Sequence, residues 1–128
     1  MIYLDSSVLL SRIFAEAKTP PESFWRQNFT SSRLLEYEVL NRIHARPQNP
    51  SHLHAAAHML GRVALMDMSP IILARALKPF PAPVRTLDSL HLATMAFLAD
   101  AGPSVQLASY DKRLVEAAAM LGIAALAL

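Results

Sequence analysis

The apolar positions of this chain fall into short blocks that switch between the period of a strand and that of a helix. Ile2-Tyr3-Leu4 is a run of β-favouring apolar residues, the composition of a strand buried on both faces. Asp5 ends it. Ser6 or Ser7 stands where a cap belongs, ahead of a helix carrying the pairs Leu9/Ile13 and Leu10/Phe14 one turn apart. Thr19-Pro20-Pro21-Glu22 predicts the start of a short helix with Phe24 and Trp25, and Gln27 to Thr30 a short strand. Ser31 or Ser32 then opens a longer helix to about His44, closed by Arg46-Pro47. An Ala-rich helix runs from Pro50-Ser51 to near Gly61, and Arg62 to Met68 alternates as a strand does. Ser69-Pro70 starts a helix holding Ile72, Leu73, Ala76 and Leu77. Thr86 caps a strong helix from Leu87 to Ala101, stopped by Gly102-Pro103. Val105 to Ser109 reads as a strand, Asp111 as the start of a helix that Gly122 ends, and Ile123 to Leu128 as a last strand. Strands alternating with helices imply parallel β-α units, an α/β fold with helices on both faces of the sheet.

The length of 128 residues suits one domain spanning 1–128, and a hydrophobic content of 53% argues against disorder. The proline-rich piece Lys78 to Pro83 is too short to separate domains and reads as an ordered loop. With no cysteine, disulfides and thiolate metal sites are excluded, which fits a reducing, cytoplasmic setting. No basic leader precedes the first apolar run, and the apolar stretch Ala117 to Leu128 is far short of the roughly 20 residues that span a bilayer. A net charge of +2 does not announce nucleic-acid binding, although arginines far outnumber lysines and suit forked contacts to phosphate.

The acids sit at informative places. Asp5 and Asp111 each follow a strand and precede a helix, so a parallel sheet sets both on its carboxyl edge, where such sheets bind ligands. Either residue is equally at home as a helix cap. The helix from Ser31 to His44 offers Glu36 and Glu38. Glu38 falls between Leu34 and Leu35 on the helical wheel and Glu36 near Leu40 and Ile43, so periodicity does not choose between them. An ion pair of Glu38 with Arg42, one turn later, is the ordinary alternative. Asp88 lies in the first turn of its helix, where the dipole favours a carboxylate. Its neighbours Leu87, Leu90, His91, Leu92 and Met95 are largely apolar, so the acid needs something positive to meet it. His91 reads as a packed core histidine or as a partner of that acid; the other candidate ligands are all oxygens, which disfavours it as a metal ligand. Carboxylates gathered at one edge repel each other, and a hard divalent cation such as Mg²⁺ or Mn²⁺ relieves the crowding.

Four segments carry a family likeness: Ile2-Tyr3-Leu4-Asp5-Ser6-Ser7, the stretch Ser31 to Arg42, Arg85-Thr86-Leu87-Asp88-Ser89-Leu90-His91-Leu92-Ala93, and Ser109-Tyr110-Asp111-Lys112-Arg113-Leu114. In order and spacing they resemble PIN-domain ribonucleases, and most closely the VapC toxins of bacterial type II toxin–antitoxin systems. The resemblance implies a PIN-like three-layer α/β/α sandwich around a parallel sheet of about five strands. It places the acidic quartet on Asp5, Glu38, Asp88 and Asp111, selecting Glu38 over Glu36. It puts small polar groups beside the acids at Ser6 and Ser109, the latter where relatives often carry threonine. It further implies RNA cleavage leaving a 5′-phosphate and a 3′-hydroxyl, Mg²⁺ or Mn²⁺ held by Asp5, Asp88 and Asp111, a homodimer, and inhibition by a VapB-type antitoxin whose tail covers the groove.

Arg12, Arg42, Arg85, Lys112 and Arg113 are candidates to guide the RNA backbone. The first helices carry Leu9, Leu10, Ile13, Phe14, Phe24 and Trp25, more apolar bulk than one small core easily hides; either all of it is core, or an exposed part serves an antitoxin or a dimer. Other functions are weaker. A PIN-like module that binds RNA or a partner without cutting has no need of an intact quartet. A receiver domain wants adjacent acids after its first strand, and an Asp-x-Asp phosphatase a second aspartate where Ser7 stands.

Overall fold

The computed structural model describes residues 1–128. Five strands, β1 (Ile2–Leu4), β2 (Phe29–Ser32), β3 (Val63–Met66), β4 (Gln106–Ala108) and β5 (Ala124–Ala125), form one sheet in the order β3-β2-β1-β4-β5. Every neighbouring pair is parallel. The helices are α1 (Ser6–Ile13), α2 (Leu34–His44), α3 (Pro50–Leu60), α4 (Pro70–Ala76), α5 (Thr86–Asp100) and α6 (Lys112–Met120), with a 3₁₀ turn at Phe24–Arg26. No helix is long and apolar enough to cross a membrane.

β1 is the pivot of the sheet, and its side chains alternate between the two faces. Ile2 and Leu4 join a core with Val8 and Leu9 of α1, Leu35 and Val39 of α2, and Ala56 of α3. Tyr3 enters the opposite core, among Leu92, Met95 and Leu98 of α5 and Leu114 and Ala118 of α6. Two cores on two faces of one sheet make the three-layer α/β/α sandwich. The chain runs outward from β1 through β2 to β3, then crosses back to place β4 on the other side of β1. The switch in direction lies between β1 and β4, the place where a parallel sheet opens a crevice at its carboxyl edge.

Several local expectations are corrected. Asp5 itself caps α1: its backbone is already extended at the end of β1, and its side chain accepts the Ser7 N–H, so Ser6 and Ser7 lie inside the helix. At α5 the cap position is Arg85, with no side-chain hydrogen bond, and Thr86 is the first helical residue. β2 lies later than the apolar pattern suggests because Ser31 and Ser32 finish the strand. Ser31 Oγ donates to the Leu4 carbonyl at 2.8 Å, and Ser32 Oγ accepts the Leu34 N–H at 3.1 Å. β5 keeps only Ala124 and Ala125 of the predicted last strand.

The apolar bulk of the first helices is core, not a docking face. Leu9, Leu10, Ile13, Phe24 and Trp25 are all buried, because three helices and the 3₁₀ turn share one side of the sheet. Phe24 packs edge-on against Trp25 and against Phe29 with ring centroids 4.9 and 5.0 Å apart. The exposed large apolar side chains lie elsewhere, most of all at α4: Ile71, Leu73 and Leu77.

Candidate active site

At the switch point, the register pairs Leu4 of β1 with Ala108 of β4, which brings the next residues, Asp5 and Ser109, side by side above the sheet. Ser109 Oγ donates to Asp5 Oδ2 at 2.8 Å. Ser7 Oγ donates to the same oxygen at 2.5 Å and accepts the Tyr110 N–H at 2.9 Å. The Asp5 carboxylate is therefore buried yet fixed by two hydroxyls and a helix N-terminus, the partners that make such burial tolerable. Ser7, which the sequence offers only as a candidate helix cap, supplies these contacts; Ser6 lines the cleft beside Asp5 without a hydrogen bond to it.

Asp111 caps α6, its Oδ1 accepting the Arg113 and Leu114 N–H groups at 3.0 and 3.4 Å. The capping role and a place at the sheet edge thus coexist in one residue. Asp88 stands in the first turn of α5 with its side chain largely covered. Arg85 spans these two acids: Nε donates to Asp88 Oδ2 at 3.3 Å and Nη2 to Asp111 Oδ2 at 3.2 Å. The positive partner that the sequence demanded for Asp88 is this guanidinium rather than His91.

Glu38 reaches the same rim from α2. Its partner is not Arg42 but the buried His91 of α5, whose Nε2 lies 2.6 Å from Glu38 Oε1. The other ring nitrogen, Nδ1, lies 2.7 Å from the Tyr3 hydroxyl, which accepts the Ser32 N–H at 3.1 Å. An ionised carboxylate only accepts, so Nε2–H donates to Glu38, and in the neutral ring Nδ1 is left to accept from Tyr3. Burial alone would lower the His91 pKa; the adjoining Glu38 carboxylate, with Asp5 and Asp88 further off, reverses this and holds it above the ordinary histidine value. Burial pushes the Tyr3 hydroxyl well above its ordinary range.

All four acids, Asp5, Glu38, Asp88 and Asp111, line one cleft of about 570 Å³, together with Ser6, Ser7, Glu16, Arg42, Arg85 and Tyr110. Glu36 is not among its walls. The quartet is gathered around a common space but not into a ready coordination shell: no three His, Asp or Glu side chains stand close enough together to hold an ion. Each acid is instead engaged by its own partner, namely Ser7 and Ser109, His91, or Arg85. As a donor set the cleft offers carboxylate and hydroxyl oxygens and no sulfur, the chemistry of a site for a hard divalent cation. Of the arginines proposed to guide RNA, Arg42 and Arg85 line this cleft, whereas Arg12 is committed elsewhere. Its guanidinium forms a forked pair with Glu22 at 2.5 and 2.8 Å and lies over the Trp25 ring.

Comparison with known proteins gives a consistent result. The family model of the PIN domain matches residues 2–120. Ribonuclease VapC35 of Mycobacterium tuberculosis strain ATCC 25618 / H37Rv is 34% identical over 133 aligned positions, covering 99% of this chain and 96% of the relative. Ribonuclease VapC46 of the same strain is 32% identical, with 98% and 96% covered. Ribonuclease VapC47 of M. tuberculosis strain CDC 1551 / Oshkosh is 26% identical, with 95% and 93% covered.

Proposed function

Because the chain belongs to the PIN-domain family, we propose that residues 1–128 work as one PIN-domain unit, a Mg²⁺- or Mn²⁺-dependent endoribonuclease toxin of the VapC type neutralised by a cognate antitoxin. One observation carries the reading: carboxylates from four separate elements line a single cleft at the topological switch point of a parallel sheet.

Asp5, Asp88 and Asp111 would hold the cation, directly or through water, and its charge would make a water molecule more acidic and offset negative charge on the phosphate. The rest falls to the chain. Ser7 and Ser109 fix the Asp5 carboxylate and leave its Oδ1 free of hydrogen bonds. Glu38 orients the attacking water and accepts its proton. Arg42 and Arg85, on the walls of the cleft, meet phosphate oxygens of the RNA strand. The helix N-termini at α1, α5 and α6 add their dipoles to the same rim, which favours phosphate as well as the acids themselves. Hydrolysis leaves a 5′-phosphate and a 3′-hydroxyl.

The exposed Ile71, Leu73 and Leu77 support a homodimer, and the open, polar cleft leaves room for an antitoxin tail. The deciding experiment incubates the purified protein with cellular RNA in Mg²⁺, Mn²⁺ or EDTA and maps the new ends. Cleavage with either cation and none in EDTA is expected. RNA binding without any new ends in either metal would leave a non-catalytic binding module in its place.

A further inference from the structure

His91 is the one imidazole sealed inside the protein between a cleft acid and another strand. It is 1% exposed, and Tyr3, on its far side, is fully buried. The two rings meet edge to face with centroids 5.8 Å apart. The chain of contacts runs from the Ser32 amide at the end of β2, through the hydroxyl of Tyr3 on β1, across the imidazole of α5, to the carboxylate of Glu38 on α2. It therefore ties together the strand that leads to Asp5, the helix that carries Asp88 one turn before His91, and the helix that carries Glu38.

We propose that His91, held from behind by Tyr3, is the positioning residue for Glu38: its Nε2–H holds the carboxylate at the cleft in the orientation that receives a proton from water. This rests on the role assigned to Glu38 above and adds to it. A glutamate has three side-chain torsions, and one 18% exposed at the rim of a wet cleft has several staggered orientations open to it. A single donor at 2.6 Å, itself buried and held from behind, selects one of them. The anchor does not depend on solvent or on the RNA. Tyr3 accepts from a backbone amide that has no rotational freedom, so the Tyr3 hydroxyl hydrogen is free to point at Nδ1 and leave the hydrogen on Nε2.

The test uses the full chain and an RNA oligonucleotide carrying a mapped cleavage site. His91→Leu is expected to lower kcat by roughly tenfold to a hundredfold, the scale of a catalytic group displaced by about an ångström. KM is expected to stay within about twofold, since His91 does not line the cleft. His91→Gln, whose amide also offers N–H groups, is expected to restore most of kcat. Tyr3→Phe keeps the ring but removes the partner of Nδ1, and is expected to lower kcat in the same direction as His91→Leu by a smaller factor. In a Glu38→Gln background, His91→Leu is expected to cost no further activity. Equal losses with and without Glu38, or a wild-type kcat for His91→Leu, would overturn the proposal while leaving the nuclease reading intact. If His91→Leu proves too unstable to assay, Tyr3→Phe and His91→Gln carry the same comparison. A fully active Glu38→Gln variant would remove the role assigned to Glu38, and this proposal with it.

Discussion

Arg85 and Asp111 are joined across the cleft by Nη2–H···Oδ2 at 3.2 Å, and the same guanidinium reaches Asp88 at 3.3 Å. One side chain that is 60% exposed thus pairs with two of the proposed metal ligands. A divalent cation entering between those acids competes with it. Exposed pairs of this kind are each worth less than about 1 kcal/mol, so Arg85→Gln is expected to tighten Mn²⁺ binding by roughly threefold to tenfold. Titration calorimetry with Mn²⁺ alone measures this without RNA. Equal or weaker binding by the variant counts against competition.

Asp5 separates structure from chemistry. Asparagine caps helices about as well as aspartate, and its carbonyl oxygen is able to accept from Ser7 and Ser109. Asp5→Asn is therefore expected to keep the fold, with stability changed by about 1 kcal/mol or less on that scale. Loss of the charge removes a cation ligand, and RNA cleavage is expected to fall by roughly 10³-fold, several kcal/mol of transition-state stabilisation. Circular dichroism melts and a Mn²⁺-dependent cleavage assay on one preparation give both readings. A well-folded Asp5→Asn that cleaves at the wild-type rate would refute the assignment of Asp5.

Much of this site was legible because strand-to-helix junctions are written locally. Asp5 and Asp111 each break an apolar run and open a helix, so a parallel sheet alone sets them on one edge, as found. Glu38 was not legible from periodicity, because the wheel gives Glu36 and Glu38 similar claims. What distinguishes them is His91, which lies far off in sequence and meets only Glu38. Tyr3 escaped for a related reason. In the apolar run Ile2-Tyr3-Leu4 it reads as bulk, and only the folded sheet shows its hydroxyl against the Ser32 amide. The apolar first helices leave an exposed face and a plain core equally open, and the fold decides for core: a face of the sheet covered by α1, α2 and α3 has room for all of Leu9, Leu10, Ile13, Phe24 and Trp25. The sequence marks Arg85 only as a guide for RNA, since its double pairing depends on the starts of α5 and α6 lying together in the fold.

Ser7 is the residue whose importance the fold adds. Its hydroxyl donates to Asp5, lies 3.5 Å from Ser109 Oγ, and satisfies the Tyr110 N–H that begins the turn into α6. Removing it leaves a part-buried amide without a partner, which costs about 1–3 kcal/mol. Ser7→Ala is expected to show that loss in urea denaturation and a lower cleavage rate through a looser Asp5. Ser6→Ala, which removes no hydrogen bond to Asp5, is the matched control and is expected to lose under about 0.5 kcal/mol, as for an ordinary surface change. Equal effects of the two substitutions would show that the Ser7 hydroxyl has no special place in the site.

The pairing of His91 with Glu38 also fixes a pH dependence of stability. The His91 pKa is raised in the folded protein above its ordinary 6.5: burial, the largest single effect, lowers it, but the Glu38 carboxylate together with Asp5 and Asp88 more than reverses this. A group that binds its proton more tightly when folded stabilises the fold fully below the unfolded pKa, and the contribution is lost as pH rises through the folded pKa. The relevant window therefore opens near neutrality and extends to the alkaline side. Urea denaturation of the wild type and of His91→Gln between pH 6 and 9 tests this. The stability advantage of the wild type is expected to be largest at pH 6 and to shrink steadily toward pH 9, as the imidazolium–carboxylate pair becomes a hydrogen bond from a neutral imidazole to the carboxylate. An advantage that instead grew with pH would mean that the imidazole is held neutral by its burial, and that Glu38 does not supply the charge that keeps it protonated.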